Sequence, residues 1–409
     1  MGPGSLGARD ANPRRTNRRR ANPRRANPRL IDDLSRFGAE DVQKCYNCGN
    51  CTAVCSLADS DYTFPRRLMH TLQLGLETKL ESSLEPWLCY YCGECSTNCP
   101  REAQPGETMM SLRRWLTSRY DFTGIGRLFY RRPAVEIITV LVVALLTGIG
   151  FTLFGILGGD IRQYTGPQAF LPAATIHVFD WALAGVLLAF LVPNMFRMWW
   201  FTLGRETLGQ GRRLRLPLVA YLKSLYLFPL HFLTQKRYAK CERRRPWAVH
   251  LALMLSYVTM LVLIMFFLRA MWSGPAIDWR VHVFGYLASI GLIGATIWAL
   301  RGRIKKTEVY HQRSHESDWI FLVLLLIVAV TGVLQHGLHR AGADVAANVA
   351  YVVHLMAVVP MLGLEVPFSK WSHMAYRPLA MYLSVLKKQT VPLRQDEEAT
   401  EGMGAEATA

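Results

Sequence analysis

The residues best suited to chemistry are eight cysteines in the first quarter of the chain. KCYNCGNCTAVCS places Cys45, Cys48, Cys51 and Cys55 in a C-x2-C-x2-C-x3-C run, and WLCYYCGECSTNCPRE repeats it with Cys89, Cys92, Cys95 and Cys99. Such a run could hold zinc, close disulfides or carry an iron–sulfur cluster. Structural zinc usually takes two C-x2-C pairs rather than two four-cysteine runs. Disulfides are rare in reducing compartments, and no early apolar segment marks a signal peptide that would export the cysteines. The arginines at Arg14–Arg15 and Arg18–Arg20 lack the apolar stretch a twin-arginine signal needs.

The second run continues into Pro100, which completes the bacterial C-x2-C-x2-C-x3-C-P pattern for [4Fe–4S] clusters. Three closely spaced thiolates wrap one cube corner by corner, and the fourth cysteine reaches to the other cluster. The expected sets are Cys45, Cys48 and Cys51 with Cys99, and Cys89, Cys92 and Cys95 with Cys55. Gly49 and Gly93 follow the second cysteines, where the backbone must turn closely around sulfur. The first run departs from the pattern at Ser56, which stands where proline is expected; no ligand is lost by it. Cys241, alone in a basic loop, reads as an ordinary thiol.

Histidines inside apolar segments are the second group, because ionisable residues in membrane helices are functional candidates. PWAVHLAL puts His250 about one turn inside its segment, and YVVHLMAVVPMLGLEVPFSKWSH carries His354 and His373. At ~1.5 Å per residue that pair stands about 28 Å apart, close to the ~30 Å of a hydrocarbon core. One helix would thus offer a histidine near each membrane surface, as two stacked b haems require. A straight helix turns these two positions to different faces, and Pro360 and Pro367 between them could correct this by a kink. His250 and His373 pair on the haem nearer the clusters. His354 needs a partner near the outer face: His282 is the choice, with His336, His177 and Met260 behind it. His177, His336 and His339 read more readily as interfacial residues, and His231, His311 and His315 as loop residues. Glu365 is expected to face Lys370 or an arginine in a salt bridge, with quinone proton chemistry as the alternative.

The elements that position these groups follow from composition. Hydrophobic residues make up 51% of the 409-residue chain, and the long apolar runs lie beyond residue 133. Six stretches, at about 134–157, 175–200, 247–271, 280–300, 318–337 and 347–369, are each near the ~20 residues that cross a bilayer. Arginine and lysine crowd the segments before the first, between the second and third, and between the fourth and fifth. The remaining loops carry almost none, so the positive-inside rule puts both termini and the cysteine head in the cytoplasm. The net charge of +17 therefore reads as membrane orientation rather than nucleic-acid binding. Residues 1–29, with ANPRR at 11–15 and 21–25, have nothing apolar to bury and should be disordered.

The fold class expected is all-α: an α-helical two-[4Fe–4S] ferredoxin domain at 30–125, then a six-helix transmembrane cytochrome b bundle at 126–390, with a disordered tail at 391–409. WLCYYCGECSTNCPREAQPGE resembles the C subunit of heterodisulfide reductase. HLMAVVPMLGLEVPFSKWSH resembles the dihaem cytochrome b of that enzyme and the gamma subunit of respiratory nitrate reductase. The fusion resembles the layout of the membrane-bound C subunit of quinone-interacting membrane-bound oxidoreductase complexes. In the nitrate reductase cytochrome the matching helices carry four haem histidines; His250, His354 and His373 match three, and Met260 falls at the fourth. The first apolar helix has no counterpart there.

The resemblance implies two [4Fe–4S] clusters, two b haems, and electron transfer between menaquinone and cytoplasmic flavin/iron–sulfur subunits of heterodisulfide reductase A type. These would connect to adenylylsulfate reductase and sulfur-compound metabolism. No G-x-G-x-x-G follows a strand, which leaves flavin or nicotinamide chemistry to a partner. The alternatives are a membrane subunit serving a sulfite-reductase-linked complex, and a membrane sensor or transporter with structural clusters. Internal repeats with paired acidic residues would favour the transporter, and the sequence shows none.

Overall fold

The computed structural model describes residues 26–157, 173–205, 212–213, 218–272, 278–388 and 391–392. The ANPRR repeats and most of the C-terminal tail lie outside the described residues. The chain is already held at Asn27, whose backbone N–H donates to Gly75 O and whose side chain donates to Glu77. The expected disorder therefore does not extend through residue 29.

The head is built from short helices: α1 (Leu30–Ser35), α2 (Asn50–Ala53), α3 (Arg66–Gln73), α4 (Glu85–Leu88), α5 (Glu94–Thr97) and the longer α6 (Pro105–Tyr120). Each cysteine run breaks regular structure in the same way. Asn47 and Tyr91, two residues after the first cysteine of each run, both take φ of 57°; Gly49 and Gly93 follow at 93° and 91°. These left-handed turns aim the backbone N–H of Asn47 at Cys45 Sγ (3.4 Å) and that of Tyr91 at Cys89 Sγ (3.3 Å). Non-glycine residues at such φ are uncommon, so the shared distortion belongs to the sulfur-binding loop itself.

Six helices are long and apolar enough to cross a membrane. They are α7 (Pro133–Leu157), α8 (Ala173–Trp199), α10 (Arg244–Trp272), α11 (Trp279–Lys305), α12 (Glu316–Arg340) and α13 (Asp344–Pro360), whose span continues to Phe368; between α8 and α10 lies the short α9 (Leu227–Thr234). Each lies close to its expected stretch. Their outward faces expose Ile138, Leu145, Leu188, Phe266 and Ile290, as side chains in contact with lipid would be. α10 packs on α11, and α12 and α7 pack on α13.

The last span differs from a single kinked helix. After Pro360 the backbone widens into a π-turn over Met361–Glu365 and regains one helical turn at Val366–Phe368. It leaves helical geometry at Ser369, with φ −127° and ψ −147°. A new helix, α14 (His373–Lys388), starts at His373. This α14 packs on the head: Tyr376 meets Trp87 at 5.1 Å between ring centroids, and Tyr62 donates to Ser384 O. Leu379, Ala380, Leu383 and Leu386 share one core with Leu34, Phe64 and Leu112. The head is closed by residues from the far end of the chain.

Candidate functional site

The two runs exchange their last cysteines. Cys45, Cys48, Cys51 and Cys99 surround one small depression together with Arg66 and Arg101. Cys55 lies instead in the electrostatic field of Cys89 and Cys92, and Cys95 senses Cys89, Cys92 and Cys55. Among the described residues no three such side chains converge closely enough for a single metal ion; a four-iron cube separates its thiolates, one at each corner. Burial pushes the Cys51 and Cys55 thiols up to about 11. Holding them as thiolates therefore requires a compensating cation, and bound metal supplies that charge. Cys241, read from the sequence as an ordinary thiol, is buried against the second set and donates to Cys92.

Below the second set the structure brings the His250 and His373 rings together, tilted by 57°. Their ring centroids are 6.3 Å apart, and both rings line one cavity of about 230 Å³. His250 Nδ1 is 2.9 Å from Gln235 Oε1, and His373 Nδ1 is 2.6 Å from Lys370 O. Each acceptor fixes the tautomer with the proton on Nδ1, which leaves the Nε2 lone pair free. Metal–imidazole bonds of ~2 Å, with about 1 Å from nitrogen to ring centre, put two opposed axial rings roughly 6 Å apart. The residues present therefore fit a haem held between two histidines. Leu253, Met254, Tyr257, Phe321 and Leu325 line the cavity from the spans, and Trp87, Tyr90, Met110 and Arg113 from the head.

A chain of rings joins the two sites. Tyr90, next to Cys89, stacks on Tyr238 at 4.6 Å, and Tyr238 meets the His250 ring edge-on at 5.9 Å. Tyr238 and Gln235 come from the turn between α9 and α10, where the sequence shows only a basic loop. Nothing in their types or spacing marked them, because their role depends on the loop folding back over the cavity.

Farther from the head, His354 Nδ1 lies 3.0 Å from Thr331 Oγ1, and a side chain at Gly332 would strike its ring. His282 holds Asp278 O through Nδ1 (2.9 Å), and its ring lies 5.6 Å from that of His336. Tyr286 OH is 3.0 Å from His336 Nε2. Among the described residues no ring contact joins His354 to His282 or His336. His177 Nδ1 is buried without a hydrogen bond, and Met260 packs beside Val140 and Phe321.

The charges sort differently from the expected Glu365–Lys370 pair. Lys370 Nζ pairs with Asp318 Oδ1 at 2.5 Å, and Arg114 bridges Asp318 and Glu107. Glu365 instead faces Glu136 of α7, both fully buried, and Ser369 Oγ donates to Glu136.

Residues 15–103 match the family of 4Fe-4S dicluster domains. A protein of Archaeoglobus profundus described as similar to the C subunit of heterodisulfide reductase is 33% identical over 92 residues, covering 22% of this chain and 49% of that protein. The iron-sulfur C subunit of the CoB–CoM heterodisulfide reductase of Methanopyrus kandleri is 42% identical over 60 residues, 15% of this chain and 31% of that one. The chain joins a heterodisulfide reductase C-like ferredoxin to a membrane domain. It spans half or less of the length of those two relatives. Citrate utilization protein B of Escherichia coli is similar along both parts, at 26% identity over 375 residues, 85% of this chain and 91% of that protein. No solved structure matches the chain.

Proposed function

We propose that the protein is the membrane subunit of an oxidoreductase that carries electrons between a membrane quinone, menaquinone, and a soluble cytoplasmic partner. The observation that carries this reading is the pair His250 and His373, each with Nδ1 engaged, whose ring centroids lie 6.3 Å apart on one cavity beside the Cys89 run. His250 and His373 would hold a b haem here, and it would supply one-electron chemistry. Gln235 and the Lys370 carbonyl orient the ligands, while Tyr90 and Tyr238 bridge the space to Cys89. The Cys45, Cys48, Cys51 and Cys99 set then comes nearest the head's surface at Cys48, which is exposed, for exchange with the partner. A second b haem would draw on His354, held by Thr331, with His282 as its other ligand.

The arginine-rich loops on the head side support a head and both termini in the cytoplasm. The test is an oxidised-minus-reduced optical spectrum of the purified protein, with haem and iron counted. We expect b-type bands and about eight non-haem irons per chain from two [4Fe–4S] clusters; a spectrum with no haem band overturns the reading.

For the partner, the head's likeness to heterodisulfide reductase supports flavin/iron–sulfur subunits of A type linked to adenylylsulfate reductase. A second reading is favoured by the similarity that runs through both halves of the chain, which is to a protein named for citrate utilisation. The partner is then a dehydrogenase of carboxylate metabolism. Growth of a deletion strain on citrate, compared with growth on sulfur compounds, separates the two: a defect confined to one assigns the partner.

A further inference from the structure

The cavity between His250 and His373 carries more positive charge than the protein balances. Its lining includes five cations, Arg113, Arg114, Arg303, Lys370 and Arg377, and one acid, Asp318. Asp318 pairs with Lys370 and Arg114, and Glu107 gives Arg114 its second acid. Arg113, Arg303 and Arg377 are left with no acidic partner within ion-pair distance among the described residues. Arg113 is 7% exposed and spends its bonds on the carbonyls of Pro86 and Cys89. Arg377 is 5% exposed, lies over the Tyr90 ring at 4.1 Å and reaches Cys89 O at 3.3 Å; its Nε has no acceptor. Arg303 Nε is likewise buried and unmatched.

Burying a guanidinium without a counter-charge is costly, and three around one cavity repel one another as well. The cost is recovered if the occupant brings anionic groups to that end. The opposite end, toward the spans, is lined by Leu253, Met254, Phe321 and Leu325. The cavity is thus amphipathic, with apolar side chains from the spans and a cluster of cations in its lining. We propose that Arg377 and Arg303, supported by Arg113, bind the carboxylate groups of the haem and fix its orientation, with the acidic edge toward the head. This rests on the haem reading above and extends it from the ligands to the anchor. The same placement puts positive charge between the haem and the Cys89 run, where it would favour an added electron.

The rival role for these arginines is to balance the negative charge of the cluster bound at Cys89. The two roles differ at Arg303, which has no contact with a cysteine. The experiment uses the full-length protein in detergent, as Arg303→Gln, Arg377→Gln and Arg377→Lys. Three quantities are read: haem lost to apomyoglobin, haem midpoint potential by optical titration, and cluster paramagnetic signals. Both glutamine variants should lose haem roughly tenfold faster, as for a lost charge-assisted hydrogen bond. Both should titrate at lower potential, because a cation beside the reduced haem is gone. Arg377→Lys should recover part of each effect, and the cluster signals should stay in place. Unmodified haem retention and potential in both glutamine variants would overturn the proposal, as would changes confined to the clusters. Absence of haem from the unmodified protein would remove the occupant, and with it both this inference and the reading on which it rests.

Discussion

At His250, Gln235 Oε1 accepts the Nδ1 proton at 2.9 Å, and in the proposed haem site this contact would set how strongly Nε2 donates to iron. A carboxylate there would make the imidazole more basic and stabilise the oxidised metal. Gln235→Glu should therefore lower the haem midpoint potential, and Gln235→Leu should loosen the ring and reduce haem content, both read by optical titration. The cysteine exchange has an equally local consequence. Cys55 belongs to the first run by sequence but sits with Cys89, Cys92 and Cys95. Cys55→Ser should diminish the second cluster and leave the first, seen as up to half of the non-haem iron lost. Loss of the Cys45 cluster instead would show the exchange to be wrong. The eight cysteines and the three main histidines were legible because thiolates and membrane imidazoles are conspicuous by type. Gln235, Tyr238, Arg303 and Arg377 were not, since a glutamine, a tyrosine or an arginine in a basic loop has many ordinary explanations.

Helix α12 shows how an element can depend on a histidine outside the redox site. His315 is its N-cap and accepts the Ser317 N–H through Nδ1 at 3.3 Å. Only the neutral ring can accept this bond. Burial, reinforced by the Arg114 guanidinium, lowers His315 from its ordinary value of 6.5 to about 4. The unfolded chain therefore takes up a proton below 6.5 that the folded chain refuses until about 4. The stability contributed by the neutral cap is fully present above 6.5 and is lost as pH falls through that window. Thermal unfolding in detergent should show a decline on the order of 1–2 kcal/mol between these limits. His315→Asn, a cap that does not titrate, should flatten it; an unchanged slope would exclude this histidine as the cause. At Gly93, φ of 91° permits the turn into α5, and Gly93→Ala should cost about 1–2 kcal/mol and lower the occupancy of the second cluster, measured by iron content.

Head and membrane domain are joined by polar and apolar contacts that neither provides alone. Arg114 of α6 reaches Phe37 O within the head and Asp318 in α12, and Asp318 also holds Lys370. Asp318→Asn leaves two buried cations without their shared acid, a change worth roughly 3–5 kcal/mol. It should appear as a lower melting temperature and faster proteolysis between head and spans; full resistance would show that apolar packing holds the joint by itself. The Trp87, Tyr120 and Tyr376 rings meet at 5.1 to 6.3 Å across that joint. A fragment ending at residue 125 would expose Trp87 and Tyr120, and we expect it to aggregate when expressed without the rest of the chain, by size-exclusion chromatography.

The sequence by itself determined the paired cysteine runs, the six candidate spans and the all-helical class. Each depends on local spacing: a few residues around a cube, or about twenty apolar residues across a bilayer. Only the tertiary structure decided that the last span breaks at Ser369, that α14 closes the head, and that Glu365 faces Glu136 while Lys370 takes Asp318. It also decided that His282 lies beside His336 and that Tyr238 bridges Cys89's neighbour to His250. These are contacts between segments far apart in the chain, and side chains choose such partners by the space and charge left after the helices pack, which no local pattern records.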